Sequence, residues 1–399
     1  MSDSHTITFL LNDISKETYA TACWPFKRNE EIDQDGVVTT SYPKKMSSVS
    51  PLTRARFKIT PLFAVARDYT KIIGYQLEIN TPACTIGNNV LVENRVYAAA
   101  LLSKLVLQLW LLKNGCSVAA ARTITLKNAE FDSVSLTFLH ELKNHEDAVL
   151  ANQQLLAHAD ALKNSKRARG QRKPVYSVGT SSDMTVYIKH VDYKISSYVK
   201  AGPTKKAFAE IRNADIGRQL YAVGEKTLRT EIEFHRSWLV KHKRASPLAW
   251  KLSTKLDPHK AGLDEIRQAL RLAENLRTKR PKPMTIQKLG SLDQAVLKDH
   301  LDGKTTRDHP MLRSKGNQYF SAVKLRILKA LRIDIAIPWV EQSSKYCPRL
   351  SSILDWHGPY CPPSLLERHS FCRTSIAALK SKLTDLIQRE IRSREFSEH

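Results

Sequence analysis

The chain has no run of about eighteen uninterrupted apolar residues, the length a helix needs to cross a bilayer. The nearest approach, "VYAAALLSKLVLQLWLL" from Val96 to Leu112, carries Lys104 and Gln108 and is expected to be a buried helix. The first residues, "MSDSHTITFLLNDISK", have neither a basic segment ahead of an apolar core nor a small-residue cleavage site, so no signal peptide is expected. A P-loop, a GxGxxG turn and an HExxH helix are all missing, which removes the simplest nucleotide-binding and zinc-protease readings. Cysteine is sparse: six residues, with no CxxC pair. Free thiols in a reducing cytoplasm are the expectation. Cys347, His357, Cys361, His369 and Cys372 stand ten, four, eight and three residues apart, and this is not the paired short spacing of a structural zinc site.

Acidic residues are also scarce. Against 39 Asp and Glu stand 63 Lys and Arg, a formal net charge of +24 over 399 residues. Such an excess attracts polyanions, with an affinity that falls as salt rises, so nucleic acid is the leading partner and no membrane partner is expected. An apolar content of 42% is enough for packed cores in two or three domains.

Periodicity gives a coarse map. "HTITFLL", "RARFKITPLFAV" and "KIIGYQLEIN" alternate as strands, with a long loop expected over 24–54 and a turn at "TPAC". A helix is expected from Glu93 to Asn114, stopped by Gly115. The strands "RTITLKNAEF" and "DSVSLTFLH" follow, then a helix over His145–Asn164. Six of the twelve residues in "KNSKRARGQRKP" are basic: Lys163, Lys166, Arg167, Arg169, Arg172 and Lys173 form a candidate phosphate-contacting loop, about 163–174. "PVYSV", "MTVYIKHV" and "KTLRTEIEFHRSWL" read as strands. Beyond an amphipathic helical stretch ending at "PKP", "SLDQAVLKDHLDGK" and "GNQYFSAVKLRILKALRIDI" form two helices. The second carries Lys324, Arg326 and Lys329, compatible with a helix-turn-helix-like module setting a basic face on DNA. The last helix, "TSIAALKSKLTDLIQREIRS", is expected on that module or on a partner. The expected domains are 1–245, a helical linker 246–285, and a helical DNA-binding domain 286–399.

Two stretches carry candidate chemistry. In "LRTEIEFH", Glu231 and Glu233 share a strand face, because side chains repeat every two residues; salt bridges on an edge strand are the first reading, and a site for Mg²⁺ or Mn²⁺ is the second. Glu78 in "QLEIN" and Asp132 in "EFDSVSL" leave the same choice open. In "DMTVYIKHVDYKISSYVK", alternation puts Tyr187, Lys189 and Val191 on one face, with His190 and Asp192 on the other. A phenol with a pKa near 10 becomes a nucleophile towards phosphodiesters only when a neighbouring cation favours the phenolate. Lys189 is placed to do that.

Five segments in order resemble the gene II/X family, the rolling-circle replication initiators of filamentous phages and related plasmids. "LEINTPACTIGNNVL" is similar to a strand ending in Glu, a Ser-Pro-Ala-Lys turn and a Gly-His-Asn-Val segment. Pro82, Gly87 and Asn89 match there, while Thr81, Cys84 and Asn88 depart from the pattern. "EFDSVSLTF" offers Asp132 for an Arg-Ile-Asp strand. "TVYIKHVDY" resembles Tyr-Leu-Lys-His-Val-Glu, the strand whose tyrosine attacks DNA. "TLRTEIEFHRSWL" aligns Arg229 and Glu231. "FSAVKLRILKALRIDI" resembles a helix ending in Gly-Ile-Asp-Ile, with Arg332 at the Gly.

The resemblance implies an α+β fold like that of the HUH endonucleases: a central antiparallel sheet, helices on one face, and a small helical C-terminal domain. It implies a metal-dependent nickase and ligase that cuts the plus strand at an origin and forms a 5′-phosphotyrosine link. Tyr187 would be the nucleophile, Lys189 would stabilise charge, and Glu231 would act with them. Asp132, Glu78 and Glu233 would be the metal candidates, with His190 and Asn89 unassigned. Double-stranded origin DNA, single-stranded DNA, a host helicase and a host polymerase would be partners, with the protein able to oligomerise on the origin. A catalytically inactive DNA-binding regulator and a conjugative relaxase are the alternatives.

Overall fold

The alternation in "HTITFLL" is realised in the computed structural model as β1 (Ser2–Leu10), an interior strand of a large sheet. The structure describes residues 2–11, 28–32, 34, 38–43, 46–65, 68–87, 95–164, 175–178, 185–199, 214–251, 258–270, 272, 277, 279–306, 309–313, 316–336, 338–343, 350, 352–355 and 376–395. Beyond β1 the strands are β2 (Arg28–Ile32), β3 (Val38–Pro43), β4 (Met46–Val49), β5 (Arg56–Val65), β6 (Asp68–Asn80), β7 (Ala129–Glu141), β8 (Val175–Val178), β9 (Val186–Lys189), β10 (Tyr193–Val199) and β11 (Thr227–His235). β2 and β3 form a hairpin of their own. The others make a nine-stranded sheet in the order β4-β5-β6-β1-β7-β11-β10-β9-β8, with every pairing antiparallel. The class is therefore α+β with a central antiparallel sheet.

One face of that sheet is apolar. Ile7, Phe9, Leu77, Phe131, Leu136, Ile188, Ile195 and Ile232 point to it and are buried in a common core. Each such side chain contributes about 1.5–3 kcal/mol by leaving water. Helices Val96–Lys113, His145–Asn164 and Pro258–Ala269 contribute to the same core. Helix Pro258–Ala269 sits so close that a Cβ on Gly262 would come within 2.8 Å of Leu136 Cδ1, so a larger residue there would make the Leu136 side chain shift. Helix Val96–Lys113 has the length and apolarity of a membrane span, but 72% of it is buried inside the fold. It lies between β1 and helix Ile376–Glu395.

Several expectations are corrected. The stretch 24–54 is not one loop, since it contains β2, β3 and β4. "TPAC" opens a short helix, Thr81–Ile86, whose first turn is capped when the Ala83 N–H donates to Asn80 Oδ1 at 2.9 Å. "RTITLKNAEF" is no separate strand: Ser117 caps helix Val118–Thr123, and Ile124 and Leu126 are buried in an irregular segment before β7. The run "RSWLVK" turns helical at once, as Arg236–Lys241. The last helix does not join the C-terminal module. Its ladder Leu379, Leu383, Ile387 and Ile391, spaced by four, belongs to the core under the sheet, and Arg394 caps the carbonyls of Cys116 and Leu112. A second core, including Val296, Leu297, Phe320, Val323, Ile327 and Trp339, joins helices Ser291–Leu301 and Gly316–Leu331.

Candidate active site on the polar face of the sheet

Strand alternation turns the opposite face polar. Register carries one row of side chains from Tyr187 on β9 to Ser196 on β10, Glu231 on β11 and Thr137 on β7. A parallel row runs Lys189, Lys194, Glu233, Ser135. A third joins His235, Ser133, Thr6, Glu78 and Lys58. Tyr187, Lys189, Glu231, Glu233, Asp132 and Glu78 thus all stand on one face. Asp132 reaches it through a bulge: the register of β1 on β7 shifts between Thr6 and Ile7, so Asp132 and Ser133 both point to the polar side.

Hydrogen bonds fix most of these groups. Thr8 Oγ1 donates to Asp132 Oδ2 at 2.7 Å and Gln76 Nε2 donates to the same oxygen at 3.0 Å. Glu78 is ion-paired with Lys58 at 2.9 Å. Glu231 takes the Arg229 Nε–H at 2.5 Å, the Tyr198 hydroxyl at 2.9 Å and the Ser196 hydroxyl at 3.4 Å. Arg229 is fully buried although it lies on the polar side. A cleft of about 370 Å³ opens on this face, lined in part by Ser4, Thr6, Lys58, Glu78, Ser133 and Glu233.

The half-buried Tyr187 has Lys194 Nζ over its ring at 5.8 Å. Lys189 is exposed and directly opposite Lys194 in the β9–β10 register. Like charges facing each other across a ladder are unfavourable, and Glu233, opposite Lys194 on β11, offsets part of that repulsion. Glu231 is two strands from Tyr187, about 10 Å at the usual strand spacing. The tyrosine it touches is Tyr198. Tyr198 and Lys194 share the parity of Ser196 and so the face of Tyr187, the one signal in "YKISSYV" that points to them.

The proposed metal candidates do not converge. Three inter-strand steps separate Glu78 from Glu233, about 14 Å, and Asp132 is turned to Thr8 and Gln76. Among the described residues no group of three or more His, Cys, Asp or Glu could hold one ion. These side chains do not fit a shared Mg²⁺ or Mn²⁺ site.

His190 follows β9 and closes the hairpin to β10. Its N–H donates to the Tyr193 carbonyl at 2.8 Å, its ring stacks on Tyr193 at 4.7 Å, and its Nδ1 accepts the Asp192 N–H at 3.2 Å. That is a structural role. Burial pushes the Cys84 thiol up to about 12, so it is inert. On the apolar side, His5 is buried with Nε2 3.0 Å from Ser103 Oγ, and burial lowers it to about 3. In the C-terminal module Arg326 is held by both oxygens of the buried Asp293, at 2.8 and 2.7 Å, and Lys324 faces the buried Asp334 at 3.4 Å. Both cations are engaged by the module's own acids, and Arg326 and Lys329 remain exposed. Lys163 lies in the last turn of helix His145–Asn164, while Asn89, Lys166, Arg167, Arg169, Arg172 and Lys173 lie outside the described residues.

Compared with protein-family models, with curated proteins and with solved structures, the chain matches none.

Proposed function

We propose that this chain is a rolling-circle replication initiator of the gene II/X type, built on an HUH-endonuclease-like sheet, that nicks and rejoins DNA at a phage or plasmid origin. The observation that carries the reading is the register that puts Tyr187, two facing lysines and Glu231 on one polar side of an antiparallel sheet. Single-stranded DNA lies on this face. The Tyr187 hydroxyl attacks the scissile phosphorus, the bond to the 3′ oxygen breaks, the phenolic proton is lost and the 3′ oxygen takes up a proton. A 5′-phosphotyrosine link and a 3′-OH result. Lys189 and Lys194 stabilise charge on the phosphoryl oxygens. The 3′-OH primes a host polymerase, a host helicase unwinds the nicked strand, and reversal of the transfer closes the displaced strand. Mg²⁺ or Mn²⁺ is the cofactor such enzymes imply, and no step here is assigned to it. Duplex origin DNA is held by phosphate contacts, Lys329 among them.

A second reading, a DNA-binding regulator that does not cut, is favoured by one observation: Glu231 is already engaged by Arg229, Tyr198 and Ser196. One trapping assay separates the two. Purified protein is mixed with supercoiled DNA of its own replicon and Mg²⁺ or Mn²⁺, then quenched in hot detergent. Nicked DNA with protein on its 5′ end, lost in Tyr187→Phe, is the expected result. Tight binding with no cut under either metal would leave the regulator.

A further inference from the structure

Residues 236–251, "RSWLVKHKRASPLAWK", contain five Lys and Arg and no Asp or Glu. At their centre, helix Arg236–Lys241 ends in a closed C-terminal turn. The His242 N–H donates to the Trp238 carbonyl at 3.0 Å, the Lys243 N–H to Val240 at 3.0 Å and the Arg244 N–H to Leu239 at 2.7 Å. Lys243 holds the left-handed position of this turn, φ 56°. Glycine takes that position without steric cost, so retaining a lysine there gives up some stability. The turn is riveted from below. Arg244 donates to the Ala249 carbonyl and lies over the buried Trp250 ring, whose Nε1 donates back to the Arg244 carbonyl at 2.7 Å. Lys241, His242 and Lys243 are left exposed, and so are Val240 and Leu248, at 55% and 38%.

The same turn carries a column of rings. Phe234 and Trp238 stack at 3.7 Å and 16°, and Trp238 and His242 at 4.2 Å and 19°. The column starts in the core and ends on an exposed imidazole. Cations that complement a helix C-terminus are common, but a six-residue helix has little dipole to complement, and the ring column has no part in that account.

We infer that the turn Lys241–Arg244 is a binding platform for single-stranded nucleic acid. Lys241 and Lys243 hold successive backbone phosphates, and an unpaired base stacks on His242 as the fourth ring of the column. The nicking reading is not needed for this, because the cations, the ring column and the strained lysine lie outside the face that holds Tyr187.

The test is binding of the full chain to a fluorescein-labelled oligothymidine over a salt series, for wild type, Lys243→Gly, Lys241→Ala and His242→Ala. Each lysine variant is expected to flatten the slope of log affinity against log salt by about 0.7, the value for one phosphate contact on a single strand. Lys243→Gly keeps the left-handed backbone and is expected to melt no lower than wild type, so its loss of binding cannot come from unfolding. His242→Ala is expected to weaken binding about tenfold on oligothymidine and not on an abasic oligomer of the same length. Unchanged slopes in both lysine variants, or an equal His242→Ala effect on the abasic oligomer, would overturn the proposal. So would binding to phosphatidylserine vesicles with none to the oligonucleotide.

Discussion

Tyr198 Oη lies 2.9 Å from Glu231 Oε1, the same oxygen that accepts the Arg229 Nε–H at 2.5 Å. The pair bridges β10 and β11 over a guanidinium that is fully buried. A buried charge is tolerable only with its partner in place, and removing that partner is costly. Glu231→Ala should therefore lower the stability of the sheet domain by about 3 kcal/mol, read as a shift in its urea midpoint. Glu231→Gln, whose amide oxygen still accepts, should lose much less. A Glu231→Ala protein of wild-type stability would mean that the side chain serves chemistry alone.

The carboxylate of Asp293 is almost fully buried and takes two hydrogen bonds from Arg326, which raise the guanidinium above its ordinary pKa. Arg326→Ala leaves that carboxylate unmatched and should destabilise the C-terminal module by about 2 kcal/mol. Its DNA affinity should fall only in step with the folded fraction. Lys329→Ala should do the reverse: stability within about 0.5 kcal/mol of wild type, and a salt slope on duplex DNA shallower by about 0.9. Urea titration and a salt series on both variants check the pair of outcomes.

What local pattern can express was legible. The alternation of Ile7 and Phe9, the ladder Leu379, Leu383, Ile387 and Ile391, and the helices His145–Asn164, Ser291–Leu301 and Gly316–Leu331 follow from spacing alone. So did the shared face of Glu231 and Glu233. What local pattern cannot express is which strand lies beside which. Glu231 meets Tyr198 because β10 pairs with β11, Asp132 turns to Thr8 because a bulge shifts the register by one, and Arg326 finds Asp293 thirty-three residues earlier. Nothing within a few residues of Lys324 or Arg326 marks them as partners of buried acids. A basic helical stripe looks the same whether it faces phosphate or its own module.

His300 is buried in the module core beside Trp339, with rings 6.0 Å apart, and burial lowers it to about 4, the nearby Asp334 opposing the shift. A histidine depressed in the folded state binds fewer protons there than in the unfolded chain. Its stabilisation is complete above the unfolded pKa near 6.5 and is lost as pH falls from there towards 4. Between pH 7 and pH 5 this amounts to about 2 kcal/mol. His300→Leu should flatten that dependence. The measurement is the urea midpoint of wild type and variant at both pH values, where a difference independent of pH would contradict the account.

Arg332 follows helix Gly316–Leu331 with φ 58°, and its N–H closes the last turn by donating to the Leu328 carbonyl at 2.8 Å. The left-handed region crowds any Cβ, so glycine is the residue that takes this position without strain. The Arg332 side chain is exposed, so nothing in its packing offsets that crowding. Arg332→Gly should raise the stability of the module by about 0.5–1 kcal/mol, while Arg332→Ala, which keeps the Cβ, should change it little. The glycine variant also frees the unfolded chain, which trims the gain without reversing it. Both substitutions remove the same positive charge, so the difference in their urea midpoints isolates the backbone effect. A glycine variant less stable than the alanine one would show that the turn is not strained.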